Sequence, residues 1–108
     1  MKFQMIRIDA LRMFLAVADS GTLRDAAAKL NRTQSALSMA LKQLEEHLGG
    51  PLFETDRKRN LTALGHFVRD IASGMVAEHD HAIDLIERYA TGRAGQLRLA
   101  SVPSVAAL

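Results

Sequence analysis

The chain has 108 residues, 48% of them hydrophobic, which is enough for one compact domain and an extension. It contains no cysteine, which excludes disulfide frameworks, zinc fingers, iron–sulfur clusters and thiol catalysis. The formal net charge is +2, but residues 1–62 carry ten lysines and arginines against seven acids, whereas residues 63–108 carry four against five. A basic front half favours a polyanionic partner, although on charge alone an ordinary solvated surface explains so small an excess better.

We expect neither a membrane span nor a signal peptide. No apolar run reaches the roughly 18 residues that a membrane span needs, and the first ten residues, MKFQMIRIDA, lack the apolar segment of a signal peptide. With the lack of cysteine, this predicts a cytoplasmic protein that does not associate with membranes.

Two short helices are predicted first. One runs from about Ala10 to Asp19, with Asp9 as its N-cap and Gly21 just past its end. Its apolar stripe is Leu11, Phe14, Leu15 and Ala18. The next opens at Thr22, with Asp25 three residues on as in a capping box. Its apolar residues are Leu23, Ala26, Ala27 and Leu30.

A three-residue break, Asn31 to Thr33, follows the second helix. Thr33 is predicted to cap a third helix that continues to about Leu48 and ends at Gly49-Gly50-Pro51. Two short helices joined by three residues have the spacing of a helix-turn-helix, and the small residues at 26–28 allow such helices to cross closely. Many helical hairpins share this pattern.

The third helix has one face that its own core does not use. Its buried stripe is Leu37, Leu41, Leu44 and Leu48, and the opposite face holds Gln34, Ser35, Ser38, Met39, Lys42 and Glu46. The side chains in the N-terminal half of that face are short, polar and free of acid, which suits entry into a DNA major groove. The alternative is an ordinary solvated helix face.

A basic hairpin is predicted next. Leu52-Phe53 and Leu61 flank the polar stretch 54–60, which indicates two very short strands whose tip carries Arg57, Lys58 and Arg59. These cations are expected to reach phosphates or the adjacent minor groove. The alternative is a solvated turn.

Thr62 is predicted to cap a long fourth helix that ends near Ala90, with Gly92 as its stop. One apolar stripe on this helix contains Val68, Ile71, Met75, Ala82, Leu85 and Tyr89, and a parallel track contains Ala72, Val76, His79, Ile83, Ile86 and Ala90. One stripe can cover the preceding domain, and the other needs a second chain. A helix folded back on its own domain is the alternative.

The remaining residues complete the domain plan. Residues 96–102 alternate like a strand that lacks a partner, which indicates the start of a further domain. We therefore expect a DNA-binding domain over 1–62, a linker helix over 63–92, and a hinge with the first strand of another domain over 93–108. His79 and His81 point apart on a helix, and the sequence shows neither a phosphate loop nor a supported nucleophile, so we expect no metal site and no enzyme.

The run FLAVADSGTLRDAAAKLNRTQSALSMALKQLEEHLGGPLFE, followed by LTALG, resembles the N-terminal signature of LysR-type transcriptional regulators. The resemblance covers about residues 8–92. It implies a mainly α fold, a winged helix-turn-helix followed by a dimerisation helix, that binds operator DNA as a homodimer. The recognition helices would enter successive major grooves, and the wings would contact the flanking minor grooves.

The resemblance also implies roles for particular residues and partners. The recognition positions are Gln34, Ser35, Ser38, Met39 and Lys42, with Arg32 and Thr33 at the turn. It implies a tetramer for a full-length protein, allows contact with RNA polymerase, and places a small-molecule effector in a C-terminal domain, so that no cofactor is expected within these 108 residues.

Several positions depart from the family pattern. Met39 stands where a basic or hydrogen-bonding side chain is common and offers only apolar contact, for example with a thymine methyl group. Arg32 replaces an apolar residue, Thr55 replaces an arginine, and the wing is one residue short before Leu61. Two other readings of the chain stay open: a fragment that only dimerises, and a regulator of a related winged-helix family.

Overall fold

The computed structural model describes residues 6–55 and 57–95. Its elements are α1 (Ile8–Ser20), α2 (Leu23–Leu30), α3 (Gln34–Leu48), β1 (Phe53–Glu54), β2 (Arg57–Leu61) and α4 (Ala63–Gly95). The two strands form one antiparallel pair. This confirms the predicted fold class, a mainly helical winged helix-turn-helix followed by a long helix. No helix in the described ranges is long and apolar enough to cross a bilayer.

Side-chain caps and glycines define the ends of α2 and α3, as predicted. The Thr22 hydroxyl accepts a hydrogen bond from the Asp25 amide at 3.1 Å, and the Thr33 hydroxyl accepts one from the Ala36 amide at 3.1 Å. Gly49 ends α3 in the left-handed conformation, with φ of 85°. Asn31 ends α2 in the same conformation, with φ of 56°, which turns the chain sharply into α3.

The predicted start of α1 was wrong. The helix begins at Ile8, and Arg7 occupies the N-cap in an extended conformation without a side-chain cap. Asp9 instead lies in the first turn, where its charge complements the helix dipole, and it pairs with Arg32 at 3.4 Å. The partly buried Ile8 packs against the core, so the tertiary contact extends the helix beyond the point that capping rules indicated.

The core lies where α1, α2, α3, the wing and the first part of α4 meet. The predicted leucine stripe of α3 is confirmed, because Leu37, Leu41 and Leu44 are buried and Leu48 is half-buried. Ala26 and Ala27 of α2 are also buried, consistent with close helix crossing. The rings of Phe14 and Phe53 meet edge to face, with their centroids 5.6 Å apart, which ties α1 to β1.

The wing differs from the prediction at its tip. Phe53 pairs with Leu61 and Glu54 pairs with Arg57, so residues 57–59 lie in strand β2 and not in the turn that precedes it. Thr55 takes a positive φ of 37° at that turn. A tight hairpin turn favours such a conformation. Polar residues can also continue a solvated strand, so the polarity of residues 57–59 did not by itself locate the turn.

Helix α4 also extends further than predicted. It continues through Gly92 to Gly95, and Gly92 does not adopt the left-handed φ with which Gly21 and Gly49 end their helices. The chain forms two compact units that divide after Val76. In the first unit, Ala72 and Val76 are buried and so belong to the core of the winged domain. The strand predicted at 96–102 lies outside the described residues.

Candidate nucleic-acid interface

One face of α3 carries all five side chains that the sequence assigned to base recognition. Each of them is exposed: Gln34, Ser35, Ser38, Met39 and Lys42. The first turn of α3 contains no acid, and of the two adjacent glutamates near its end only Glu46 is exposed. From Gln34 to Lys42 this face therefore presents hydroxyls, an amide, a thioether and one cation, and its exposed acid, Glu46, lies at the C-terminal end of the helix.

The N-terminus of α3 adds a partial positive charge to this face. Amide groups in the first turn of a helix lack carbonyl partners within it, and they favour a nearby anion. The Thr33 hydroxyl satisfies the amide of Ala36, which fixes where the helix begins. The amides of Gln34 and Ser35 lie at the same end of the helix, in the two residues that follow Thr33.

Arg32 lies at the turn between α2 and α3, but its side chain is directed toward α1. Its guanidinium lies 3.4 Å from the Asp9 carboxylate and 3.9 Å from the Met13 sulfur. Both charged side chains are about half exposed, so the pair contributes at most about 1 kcal/mol. This geometry favours a role in holding the turn against α1, and the DNA contact assigned to Arg32 stays a prediction.

Hydrogen bonds anchor the wing to α3 and α4, and only the Thr62 cap of α4 was predicted from the sequence. The Glu45 carboxylate accepts a hydrogen bond from the Leu52 amide at 2.8 Å. The Thr62 hydroxyl donates to the Pro51 carbonyl at 2.7 Å and accepts from the Gly65 amide at 3.0 Å. Glu45 and Thr62 therefore fix the wing relative to the recognition helix. Nothing in the sequence singled out Glu45, because its partner lies seven residues further on, outside the helix.

We predict that Glu45→Ala destabilises the domain by about 2 kcal/mol, because a hydrogen bond to a charged group is lost and the Leu52 amide is left half-buried without a partner. Glu45→Gln keeps an acceptor oxygen and should lose less. Glu46→Ala, at the neighbouring exposed position, should change stability by less than about 0.5 kcal/mol. Urea unfolding of the three variants measures these differences, and equal midpoints for the two alanine variants would contradict the anchoring role.

A close backbone approach at Gly65 also holds the wing. A methyl group at this position would overlap the Leu52 carbonyl oxygen, and it would lie 3.1 Å from the Leu61 Cβ. The same Leu52 carbonyl accepts the Thr62 amide at 3.0 Å, so it cannot move aside without losing that bond. The first turn of α4 can therefore contact the wing only because residue 65 has no side chain.

The three residues predicted as wing cations belong to strand β2. The strand brings residues 57–59 next to one another along one arm of the hairpin. The side chains of Arg57, Lys58 and Arg59 lie outside the described part of the structure. Their contact with DNA stays a prediction from the sequence.

Helix α4 carries the residues assigned to dimerisation. All of them are exposed except one, which packs within its own domain. In the first unit, Ile71 and Met75 are exposed, together with Phe67, which the sequence analysis left out. Val68 is the exception, since it is half-buried and packs against the core of its own domain. Its helical position relative to Ala72 explains this, because the two side chains share one face. In the second unit, Ala82, Leu85 and Tyr89 are exposed.

Residues 8–66 match the family model for the bacterial regulatory helix-turn-helix proteins of the lysR family. The match covers more than half of the chain and spans α1 to the first turn of α4. The chain belongs to the LysR family of bacterial helix-turn-helix regulators. This excludes a regulator of a related winged-helix family.

Curated relatives are transcriptional regulators of about three times this length. The chain is 38% identical over 94 residues to the regulator DgdR of Burkholderia cepacia, covering 86% of this chain and 31% of the relative. It is 36% identical over 93 residues to XapR of Escherichia coli, covering 85% and 32%. The chain thus spans about a third of the curated relatives it matches, and these are regulators and not enzymes, as expected.

Solved structures show the same fold. A DNA-binding domain of BenM in complex with catB site 1 DNA superimposes with a TM-score of 0.73 at 32% identity, covering 82% of this chain and 96% of that one. Full-length BenM superimposes with a TM-score of 0.70 at 31% identity, covering 76% and 28%.

Proposed function

We propose that this chain binds operator DNA as a homodimer, with α3 in the major groove and the wing against the flanking minor groove, and so regulates transcription. The observation that carries the proposal is the exposed, acid-free N-terminal half of α3, which presents Gln34, Ser35, Ser38 and Lys42 beside the positive end of the helix. The similar BenM domains were solved on DNA, which supports this placement.

Exposed apolar residues on α4 support the dimer. Ile86 is 61% exposed and Tyr89 is 48% exposed in the second unit, and Ile83 and Leu85 add to the same helix. An isolated helix with such a surface is marginally stable in water, because most helical stability in proteins comes from packing of an apolar face. A second copy of α4 supplies that packing.

The dimer surface gives a direct prediction. Leu85→Glu should shift the chain from dimer toward monomer, because the charge would have to be buried against a partner helix. Thr91→Glu is the matched control, since Thr91 is exposed and lies across the helix from the predicted stripe. Sedimentation equilibrium of both variants measures the change. A dimer of undiminished stability in Leu85→Glu would exclude the stripe from the interface.

The rest of a full-length protein supplies the remaining functions in this proposal. A small-molecule effector would bind a C-terminal domain, and these 108 residues would need no cofactor. Tetramer formation and contact with RNA polymerase belong to the same full-length protein, which would act at the nucleoid in the cytoplasm.

Selection from random duplex DNA tests the proposal. The chain should enrich one sequence with two related half-sites, and its affinity for that duplex should fall steeply with salt because phosphate contacts release counterions. A chain that enriches no sequence, or whose binding is unchanged between low and moderate salt, would support the alternative of a fragment that only dimerises.

A further inference from the structure

Met39 is an unusual surface residue. It is 70% exposed, the largest exposed fraction among the exposed large hydrophobic side chains of residues 6–55 and 57–95. Leu37, Leu41 and Leu44 on the other side of α3 fill the core, so Met39 contributes nothing to packing within its own domain. A flexible apolar side chain in that position gains free energy only when a partner covers it.

The neighbours of Met39 identify what it would face. Ser35 lies one turn before it, Lys42 one turn after it, and Ser38 directly beside it, and all three are exposed. Of the two glutamates further along α3, Glu45 is half-buried and bound to the Leu52 amide, and Glu46, which is exposed, lies about two turns after Met39. Met39 is therefore an apolar group in the centre of a face suited to a polyanion.

We propose that Met39 reads the 5-methyl group of a thymine in the major groove, so that each half-site of the operator carries an A·T pair opposite it. Among the groups that base pairs expose in this groove, the thymine methyl is the apolar one, and the others are hydrogen-bond donors and acceptors. A thioether cannot donate a hydrogen bond and accepts only weakly, so the methyl group is the most favourable contact for Met39 in this groove. This inference rests on the proposed DNA binding.

Replacement of thymine by deoxyuridine tests the proposal, because it removes only the methyl group. The probe is the duplex that the 108-residue chain selects, with its thymines replaced one position at a time. Binding should weaken about fourfold at one position in each half-site, as expected for one methyl group no longer buried. Other thymines should have smaller effects.

Variants at position 39 assign the effect to this side chain. Met39→Ala should bind the thymine and uracil duplexes equally, whereas Met39→Leu should keep the preference for thymine. Met39→Ala should also retain its fold, since the side chain is exposed. Gln43→Ala is the control, at an exposed position of α3 outside the recognition set, and should still distinguish the two duplexes.

The outcomes separate this inference from the proposed function. If the chain binds its selected duplex and no uracil substitution weakens binding, the inference is wrong and the DNA-binding function stands. The inference also fails if Met39→Ala still prefers thymine. If the chain selects no duplex at all, the proposed function fails and this inference fails with it.

Discussion

Gly65→Ala should destabilise the winged domain by about 3 kcal/mol, the largest effect that we expect from any single substitution. A Cβ at this position would overlap the Leu52 carbonyl oxygen, which is backbone held in place by the Thr62 amide. Overpacking of this kind costs about 1–3 kcal/mol even where side chains can yield. Alanine favours a helix over glycine by about 1 kcal/mol, so the overlap must outweigh that gain.

Thermal unfolding measures this effect. A loss of about 3 kcal/mol should lower the Tm by roughly 12–24 °C in a domain of this size. Gly74→Ala is the matched control, because it lies in the same helix with open space around it. That substitution should raise stability by about 0.5–1 kcal/mol. Equal stability of Gly65→Ala and Gly74→Ala would contradict the close approach between α4 and the wing.

Replacement of Arg57, Lys58 and Arg59 by alanine should abolish most DNA binding and leave the dimer intact. Each phosphate contact adds about 0.9 to the slope of log affinity against log salt concentration, so the triple variant should show a shallower slope. We expect its affinity for the selected duplex to fall by roughly a hundredfold or more. Sedimentation equilibrium should still give a dimer, because these residues precede α4.

A cation on α4 provides the control for the wing variant. Arg88 is exposed and pairs with Asp84 at 3.0 Å on the same helix, away from α3 and the wing in sequence. Arg88→Ala should leave both the affinity and the salt slope nearly unchanged. Unaltered DNA binding in the triple variant would show that residues 57–59 form an ordinary solvated strand.

Much of the fold could be predicted because its signals are local. Thr22 and Thr33 cap α2 and α3 through hydroxyl bonds to amides three residues on, and those bonds depend on nearby sequence alone. The leucine stripe of α3 similarly follows from helical periodicity. The exposed face of α3, and with it most of the candidate site, was predicted by the same argument.

The errors arose where distant residues or conformational energies decide the structure. Asp9 looked like an N-cap, but the packing of Ile8 starts α1 earlier and leaves Asp9 to pair with Arg32 across 23 positions. Gly92 looked like a stop, but a glycine costs a helix only about 1 kcal/mol, and Gly92 does not adopt the left-handed conformation in which glycines commonly end helices.

The supports of the wing were not predictable from single positions. Glu45 bonds to an amide seven residues on, and Gly65 is needed because of a carbonyl at residue 52. Both relations cross from one element to another, so neither a helical wheel nor a capping rule reveals them. A glycine in the first turn of a helix, where propensity disfavours it, was the one available signal.

The spacing of half-sites tests the central claim most directly. Two recognition helices held by one dimer contact successive major grooves about one helical turn apart on one side of the duplex. Inserting about five base pairs between the half-sites rotates one of them to the opposite side. Gel-shift affinity for the altered duplex should fall close to that for unrelated DNA. Equal affinity for the original and the altered duplex would contradict binding by a dimer through two α3 helices.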